Sequence, residues 1–217
     1  RDVLAAATRD LMDLKFMDLR RMTIGMADCL VQRVSYTGDL GYEVYCNVTS
    51  QRALWQSLWD AGQPHGITPF GMRAMMSLRL DRFFGSWMAE YSPDYTAGET
   101  GLDRFIHWQK NTDFIGRAVA EAERAQGPAR KLMQFEVLAA DADVQGYEPI
   151  CVNGEVVGFC TSGGYAHHTG ASLAMGFLPA EIVASTERAE IEILGEMHAA
   201  KVVRQPAFDP AGQRMRG

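Results

Sequence analysis

The sequence lacks several features that mark large classes of protein. No run of apolar residues approaches the length of a membrane-spanning helix, and no signal peptide is visible. Lys and Arg form no run, and the formal net charge is -6, which argues against a nucleic-acid partner. Internal repeats and low-complexity segments are absent too. These absences leave a globular protein that binds neither membrane nor nucleic acid as the expectation.

Metal-ligand patterns are also missing. The four cysteines share no ligand spacing and have no flanking His pattern, so we predict no metal site. His167 and His168 are adjacent, so on a strand they would point in different directions and could not share a metal. We expect the cysteines to be buried, reduced thiols of a cytoplasmic or matrix-type compartment. They are Cys29, Cys46, Cys151 and Cys160.

What the sequence does contain is typical of a globular protein. Its 217 residues are 47% apolar and 22% charged, enough for one large domain or two small ones with a proper core. The chain begins at Arg1 without a methionine, inside a predicted helix from Asp2 to Arg9. This start favours a fragment of a longer protein, or a protein that has lost a leader.

The first part predicts mixed strands and helices. Residues 31–36 and 42–48 are rich in β-branched residues and flank a glycine-containing turn, which predicts a hairpin. Thr49 and Ser50 are candidate caps for a helix over 51–61, and Pro69 begins a second helix that runs to about Arg82. Residues 83–100 are irregular, and Asp113 is expected to cap a helix that ends near Ala125.

Beyond the Gly127-Pro128 pair the pattern changes to short strands. Asn153-Gly154 predicts a two-residue hairpin turn, and closely spaced strands with Gly turns predict a small antiparallel barrel or sandwich. We therefore divide the chain into residues 1–128 and 129–217. The predicted strands are 131–138, 149–152, 156–161, 172–177, 189–194 and 199–203.

Three segments share a pattern with a known enzyme family. They read Ser-Tyr-Thr-Gly-Asp-Leu-Gly-Tyr-Glu at 35–43, Pro-Phe-Gly-Met-Arg at 69–73 and Ser-Leu-Arg-Leu-Asp at 77–81. Together they resemble the aminomethyltransferase (glycine-cleavage T-protein) family, closest to the folate-binding C-terminal region of dimethylglycine and sarcosine dehydrogenases. The resemblance covers nearly all of this chain but only the later part of the family's length. It implies an α+β fold, a partial folate-binding α/β domain with antiparallel strands followed by a C-terminal antiparallel β-barrel.

Glu43 and Arg73 are the residues to which the resemblance gives folate contacts. A carboxylate accepts two hydrogen bonds side by side, which suits the adjacent N–H donors of a reduced pterin. Arginine presents a planar fork of donors that matches the carboxylates of the glutamyl tail of folate. The alternatives are an exposed Glu on a hairpin strand and a solvated helix arginine that pairs with Asp81 or Glu43. Arg79 and Arg82, on the same predicted helix, are expected to be solvated.

Three aromatic residues complete the folate site that the resemblance implies. Tyr36 and Tyr42 lie in the first motif, where their rings would supply stacking surface and a polar tip, or only half-buried packing. Phe16, followed by Met17, matches a Phe-Met pair that lines the family's pocket. The family's functional acid is an aspartate upstream of this chain, so no catalytic residue is assigned here.

Two further segments resemble family motifs. Residues 98–105 correspond to a Glu-Ala-Gly-Leu run, with Arg104 where T-proteins often place a tryptophan against the ligand. Residues 157–165 resemble the barrel's Gly-x-x-Thr-Ser-Gly-Gly-Tyr motif, which we interpret as a tight strand exit. No helix and no Lys-Ser/Thr pair follow these glycines, which excludes a phosphate cradle. The C-terminal tyrosine contact of T-proteins has no counterpart in 206–216.

The resemblance implies tetrahydrofolate-dependent one-carbon transfer. N5 of the folate would attack an aminomethyl or imine carbon, giving 5,10-methylenetetrahydrofolate and releasing an amine, with the protein chiefly positioning the reactants. Without the upstream acid, this polypeptide alone is expected to be an inactive or badly impaired transferase. The alternatives are a folate-dependent demethylase, a non-catalytic folate-binding module related to iron–sulfur maturation factors, and a scaffold whose folate site has decayed. The lack of a cysteine in 107–111 argues against the module.

The expected partners are folate and a small amine donor. A fused or separate dehydrogenase domain, which would carry FAD, and a lipoyl protein are the competing sources of that donor. The Leu-Asp-Arg-Phe at 102–105 and the stretch 83–87 favour the dehydrogenase branch. The identity of the donor, the oligomeric state and the presence of a preceding domain stay open at this stage.

Overall fold

The structure is a computed structural model that describes residues 1–10 and 13–217. The chain divides into two compact units. We call Arg1–Leu78 with Asp209–Gly217 the sheet unit, and Arg79–Phe208 the barrel unit. The predicted division at 128/129 stays a prediction.

Helices and strands alternate along the first part of the chain, and strands dominate the second. The helices are α1 (Asp2–Ala7), α2 (Gln51–Gly62), α3 (Met72–Asp81), α4 (Ala97–Thr100), α5 (Arg117–Gln126), α6 (Ala180–Val183) and α7 (Gln213–Arg216). Short 3-10 turns cover Val48–Ser50, Gln63–His65 and Leu102–Phe105. The strands are β1 (Leu19–Ile24), β2 (Ala27–Gln32), β3 (Glu43–Cys46), β4 (Arg130–Val137), β5 (Pro149–Val152), β6 (Glu155–Ala166), β7 (Ala171–Pro179), β8 (Arg188–Ile193) and β9 (Glu196–Val203).

The sheet unit is built on an antiparallel sheet of strand order β1-β2-β3. Side chains alternate between its two faces, so Ile24 on β1 and Val31 on β2 are fully buried while their neighbours are not. Helix α2 covers the buried face with Leu54. Strand β1 was not among the predicted elements, whereas α2 matches its predicted range closely.

The predicted hairpin is present, but its first strand lies four residues earlier than the predicted 31–36, and its second strand is shorter than the predicted 42–48. Strand β2 ends at Gln32, which pairs with Glu43 at the start of β3. Residues 33–42 form an irregular connection, and some of their polar groups find partners outside the strand ladder. The buried Arg33 donates to the Leu14 carbonyl at 2.9 Å, and the Gly38 N–H donates to Ser35 Oγ at 2.9 Å.

The barrel unit confirms the predicted strand-rich second part. Its strands form a closed antiparallel barrel of order β4-β7-β6-β5-β8-β9, filled by buried side chains such as Phe135, Ile150 and Ile191. The predicted Asn153-Gly154 hairpin joins β5 to β6, and both residues have positive φ, 54° and 83°. Positive φ at both positions is what a tight two-residue hairpin turn requires, and it explains the glycine.

Strand β6 corrects one prediction. The segment 157–165 is not a strand exit, because β6 continues through it to Ala166 with an irregularity between Cys160 and Ser162. The glycine at 163 lets β6 approach the connection between β4 and β5 closely. A Cβ built on Gly163 would lie 2.5 Å from Cβ of Val144.

Helix α3 corrects a second prediction. It starts at Met72 rather than Pro69. The expectation that Arg79 and Arg82 are solvated is wrong, because each residue is only 3% exposed. Arg79 Nη1 lies 3.2 Å from Glu90 Oε2, and Arg82 Nη1 donates to the Phe208 carbonyl at 2.6 Å. These partners are distant in sequence, so helical spacing could not reveal them.

Two helix ends also differ from the prediction. Helix α1 ends at Ala7 instead of Arg9, and α5 begins at Arg117 instead of following an Asp113 cap. Asp113 instead accepts a hydrogen bond from the N–H of Phe114 at 2.8 Å. Within the described residues, no helix has the length and apolar character needed to cross a bilayer.

Candidate functional site

The predicted carboxylate lies on the exposed face of strand β3. Glu43 is the first residue of that strand, and the alternation along it places Glu43 and Tyr45 on the exposed face and Val44 and Cys46 towards the core. The Tyr45 hydroxyl donates a hydrogen bond to the Glu43 carboxylate. Glu43 is therefore accessible to a ligand and is already oriented by a neighbour on its own strand.

This hydrogen bond alters the acidity of the phenol. Hydrogen bonding to Glu43, the negative charge of that carboxylate and a small loss of solvation all raise the pKa of Tyr45 above its ordinary value. Tyr45 was not among the predicted site residues. The period-two alternation of a strand is the signal that could have found it, since residues two apart share a face.

Tyr42 lies on the other side of the strand from Glu43. Its ring packs against the core cluster of the sheet unit, and its hydroxyl is buried without a hydrogen-bond partner among the described residues. A buried hydroxyl without a partner is rare, because it forfeits its hydration. The arrangement provides a polar atom that a ligand or a water molecule could satisfy. Tyr36 is half-buried in the irregular connection 33–42.

Arg73 stands in the first turn of α3 and is exposed. In the described part of the chain it forms no ion pair, and no hydrogen bond joins it to Glu43. Phe16 is half-buried and precedes Met17, which has a positive φ of 74°. The structure thus places all five predicted side chains in the sheet unit, but records no direct contact between the two charged ones. Their role in a common site stays a prediction.

An apolar groove of about 800 Å³ lies between strand β3 and helix α2. Tyr45, Val48 and Trp55 line it and are 51%, 79% and 57% exposed. A second recess, of about 310 Å³, adjoins it through Trp55 and contains Phe70, which is 63% exposed. Exposed aromatic rings offer flat contact area to a ligand. Neither recess is lined by any of the five predicted site residues.

The barrel unit holds a buried carboxylate of a different kind. Glu90 is fully buried, and Oε2 receives the Ser86 N–H at 2.8 Å beside its ion pair with Arg79. Its Oε1 accepts hydrogen bonds from the hydroxyls of Thr161, at 2.5 Å, and Ser162. All of its oxygens have partners, so Glu90 anchors the irregular segment 83–100 to strand β6 and is not available to a ligand.

The segment 98–105 lines a polar cavity of about 300 Å³ in the barrel unit. Arg104 donates to the Gly101 carbonyl at 3.0 Å and lies over the Phe105 ring. Arg124, another lining residue, lies 4.7 Å from the centre of the Trp108 ring. The described residues contain no cluster of three or more His, Cys, Asp or Glu side chains that could hold a metal ion.

Comparison with protein families matches both parts of the chain. The family model described as the GCVT N-terminal domain matches residues 1–110. The model described as the glycine cleavage T-protein C-terminal barrel domain matches residues 130–209, which include the closed barrel.

Individual relatives fall into two kinds. Dimethylglycine dehydrogenase of Homo sapiens is 35% identical over 92% of this chain, and the aminomethyltransferase of Geobacillus sp. is 32% identical over 93%. The crystal structure of glycine cleavage system aminomethyltransferase T from Bartonella henselae superposes with a TM-score of 0.82 at 24% identity over 96% of the chain, a likeness of fold. The chain spans 23% of the human relative and 56% of each of the other two.

Proposed function

Because the chain belongs to the glycine cleavage T-protein (aminomethyltransferase) family, we propose that it contributes the folate-binding surface of a one-carbon transferase. The reaction we propose transfers an aminomethyl or imine carbon to tetrahydrofolate. Tetrahydrofolate supplies the nitrogen that accepts the one-carbon unit, and the product is 5,10-methylenetetrahydrofolate. The match of the first family model to residues 1–110, which contain every proposed binding residue, is the observation that carries this proposal.

Two side chains of the sheet unit have the chemistry that a folate requires. Glu43 offers an exposed carboxylate for the N–H edge of the pterin, and its orientation is fixed by Tyr45. Arg73 offers an exposed guanidinium for the carboxylates of the glutamyl tail. The glutamyl tail can stay partly solvated, which suits the exposed Arg73 in the first turn of α3.

The aromatic residues have a packing and positioning role in the same proposal. Tyr42 presents a buried hydroxyl that has no partner among residues 1–10 and 13–217, an atom that fits a polar group of a bound ligand. Tyr36 and Phe16 are both half-buried and can exclude water from the faces of the ring system. Positioning of this kind lowers the barrier by holding the reacting atoms together.

The one-carbon donor divides the proposal into two branches. Relatives named dimethylglycine dehydrogenase favour an imine donor from a dehydrogenase domain that carries FAD, as the sequence at 102–105 does. Relatives named aminomethyltransferase favour an aminomethyl donor carried by a lipoyl protein. We propose the first branch, because three dehydrogenases from different mammals match over 92–96% of the chain. FAD enters this branch only with a separate dehydrogenase domain.

Titration of the purified chain with reduced folate tests the binding surface. We expect Glu43→Ala to weaken binding by about 1–3 kcal/mol, because the pterin loses a charged hydrogen-bond partner. Arg73→Lys should also weaken binding, since lysine cannot make the two-pronged contact. Glu196→Ala and Arg188→Lys, two exposed positions on the barrel strands, are matched controls and should keep the affinity of the unmodified chain.

Three outcomes would count against different parts of the proposal. If Glu43→Ala and Arg73→Lys bind folate as tightly as the unmodified chain, the assigned contacts are wrong although folate binding stands. If no binding is measurable at millimolar folate, the binding surface itself is refuted for this chain. Formation of methylenetetrahydrofolate by the isolated chain would contradict the expectation that an acid outside it is required.

A further inference from the structure

Two of the four free cysteines face each other across the sheet of the sheet unit. Cys29 on β2 is the direct register partner of Cys46 on β3. Directly opposed residues of an antiparallel pair have Cα atoms about 4.5 or 5.5 Å apart and point to the same face. Disulfide-bonded cysteines have Cα separations of about 4.4–6.8 Å. The backbone therefore already holds this pair at a spacing that a disulfide can bridge.

The pair is reachable from solvent at one of its two sulfurs. Cys29 is 2% exposed, whereas Cys46 is half-buried, and both line a cleft of about 420 Å³. Burial raises the pKa of the Cys29 thiol, and the neighbouring Cys46 thiol raises it further. That second influence reflects how close the two thiols are. A small reagent thus meets Cys46 first, with Cys29 directly behind it.

The charged side chains at this cleft form their own pair. Arg21 and Asp28 also line it, and Arg21 Nη1 lies 3.6 Å from Asp28 Oδ2 on the exposed face of strands β1 and β2. The carboxylate of Asp28 also contributes to the raised pKa of Cys29. The cleft that exposes Cys46 is therefore bordered by a charged pair.

The other two cysteines provide an internal contrast. Cys151 on β5 has Val156 and Glu190 as its register partners, so no thiol stands opposite it. Cys160 on β6 is fully buried, and burial together with the nearby Glu148 raises its pKa to about 12. Neither residue combines an opposed thiol with access to solvent.

We propose that Cys29 and Cys46 form a dithiol site that closes reversibly into a cross-strand disulfide by exchange with a low-molecular-weight disulfide such as oxidised glutathione. In the first step the Cys46 thiolate attacks one sulfur of oxidised glutathione, forming a mixed disulfide and releasing one glutathione thiolate. In the second step Cys29 gives up its proton, attacks the Cys46 sulfur and displaces the second glutathione thiolate. The two protein thiols are oxidised, and one glutathione disulfide is reduced to two thiols.

Closure would act on the strand that carries Glu43. A covalent link at Cys46 fixes the end of the short strand β3 to β2, three residues from the proposed folate contact. The link also constrains the unfolded chain between the two cysteines, so the oxidised protein should unfold at a higher temperature than the reduced one.

Equilibration of the folded chain with reduced and oxidised glutathione, followed by alkylation and mass mapping, tests the proposal. We expect the free thiols to fall from four to two, with a mass loss of about 2 Da and a peptide that joins residues 29 and 46. Cys46→Ser should keep all three of its thiols in the same buffer, apart from any glutathione adduct, and should lose the difference in unfolding temperature. Cys151→Ser, the matched control, should still form the link.

Each other result overturns the proposal. Four free thiols after equilibration would show that the pair does not close, and a glutathione adduct that persists on Cys46 without resolution would show that Cys29 cannot reach it. A link between two chains would reject an intramolecular site. Cys46 is the half-buried member, so Cys46→Ser keeps the test valid even if a substitution at the buried Cys29 prevents folding.

Discussion

The sheet unit and the barrel unit treat the edges of their strands in opposite ways. In the barrel every strand pairs with two neighbours, because β9 pairs with β4 and closes the ring. In the described residues of the sheet unit, the strand order is β1-β2-β3, so β3 has a strand, β2, on one side only. The closed barrel leaves no strand edge unpaired, whereas the open sheet leaves backbone groups of its edge strand available for hydrogen bonds.

The same contrast separates two carboxylates. Glu90 of the barrel unit is fully buried and surrounded by an arginine, two hydroxyls and a backbone N–H. Glu43 of the sheet unit is exposed and has a phenol as its neighbour. A carboxylate whose oxygens are all occupied stabilises a fold, and one with free acceptor positions can bind. Position in the fold, rather than residue type, separates the two roles.

The largest expected effect comes from removing the buried carboxylate. Glu90→Ala should lower the free energy of unfolding by about 3–5 kcal/mol, because it leaves Arg79 buried and unpaired. Urea denaturation measures the change. The control is Glu192→Ala on the exposed face of β8, which should stay within about 0.5 kcal/mol of the unmodified chain. A loss of less than about 1 kcal/mol for Glu90→Ala would show that the ion pair contributes little beyond its desolvation cost.

A core truncation in the sheet unit tests whether the two units are energetically separate. Leu54→Ala should cost about 2–5 kcal/mol, because it opens a cavity between α2 and the sheet. Arg52→Ala, an exposed position on the same helix, is the control. Hydrogen exchange should show lost protection in β1–β3 and unchanged protection in β4–β9. An equal loss in both sets of strands would mean that the contrast between the units does not extend to their stability.

The smallest expected effect concerns the exposed carboxylate. The hydrogen bond to Glu43 raises the pKa of Tyr45, so it favours the folded state below the ordinary tyrosine pKa and is lost as pH rises through the raised value. Glu43→Gln removes the charge and should lower the pKa of Tyr45 towards 10.0. Titration followed by NMR of ring-labelled tyrosine measures it, and Tyr45→Phe identifies the signal. An unchanged pKa would show that the two side chains do not interact in solution.

Local sequence chemistry predicted those elements that depend on neighbouring residues. The Asn153-Gly154 turn was predictable because positive φ at two adjacent positions restricts the residue types. Helix α2 was predictable because apolar residues recur on one face. The predicted cap was wrong, because Ser50 makes no capping hydrogen bond and Asn47 caps the 3-10 turn before the helix. The barrel strands followed from their short apolar runs, although β6 extends beyond the predicted limit at Thr161.

Features that depend on distant partners were not predictable in this way. Nothing near Arg82 in the sequence indicates that Phe208 will accept its hydrogen bond, so the arginine looked like a solvated residue. The candidate site also combines features that depend on local sequence with features that depend on distant partners. Sequence alternation explains why Glu43 is exposed, but the buried hydroxyl of Tyr42 and its missing partner are visible only once the core has formed.

The closure of the barrel has a consequence for protein synthesis. Strand β4 starts at Arg130, yet the partner that seals it, β9, ends at Val203. A nascent chain cannot complete the ring until the last of these residues has left the ribosome. Until then one edge of β4 has no partner strand. This late, long-range pairing is expected to limit the rate at which the nascent barrel unit folds.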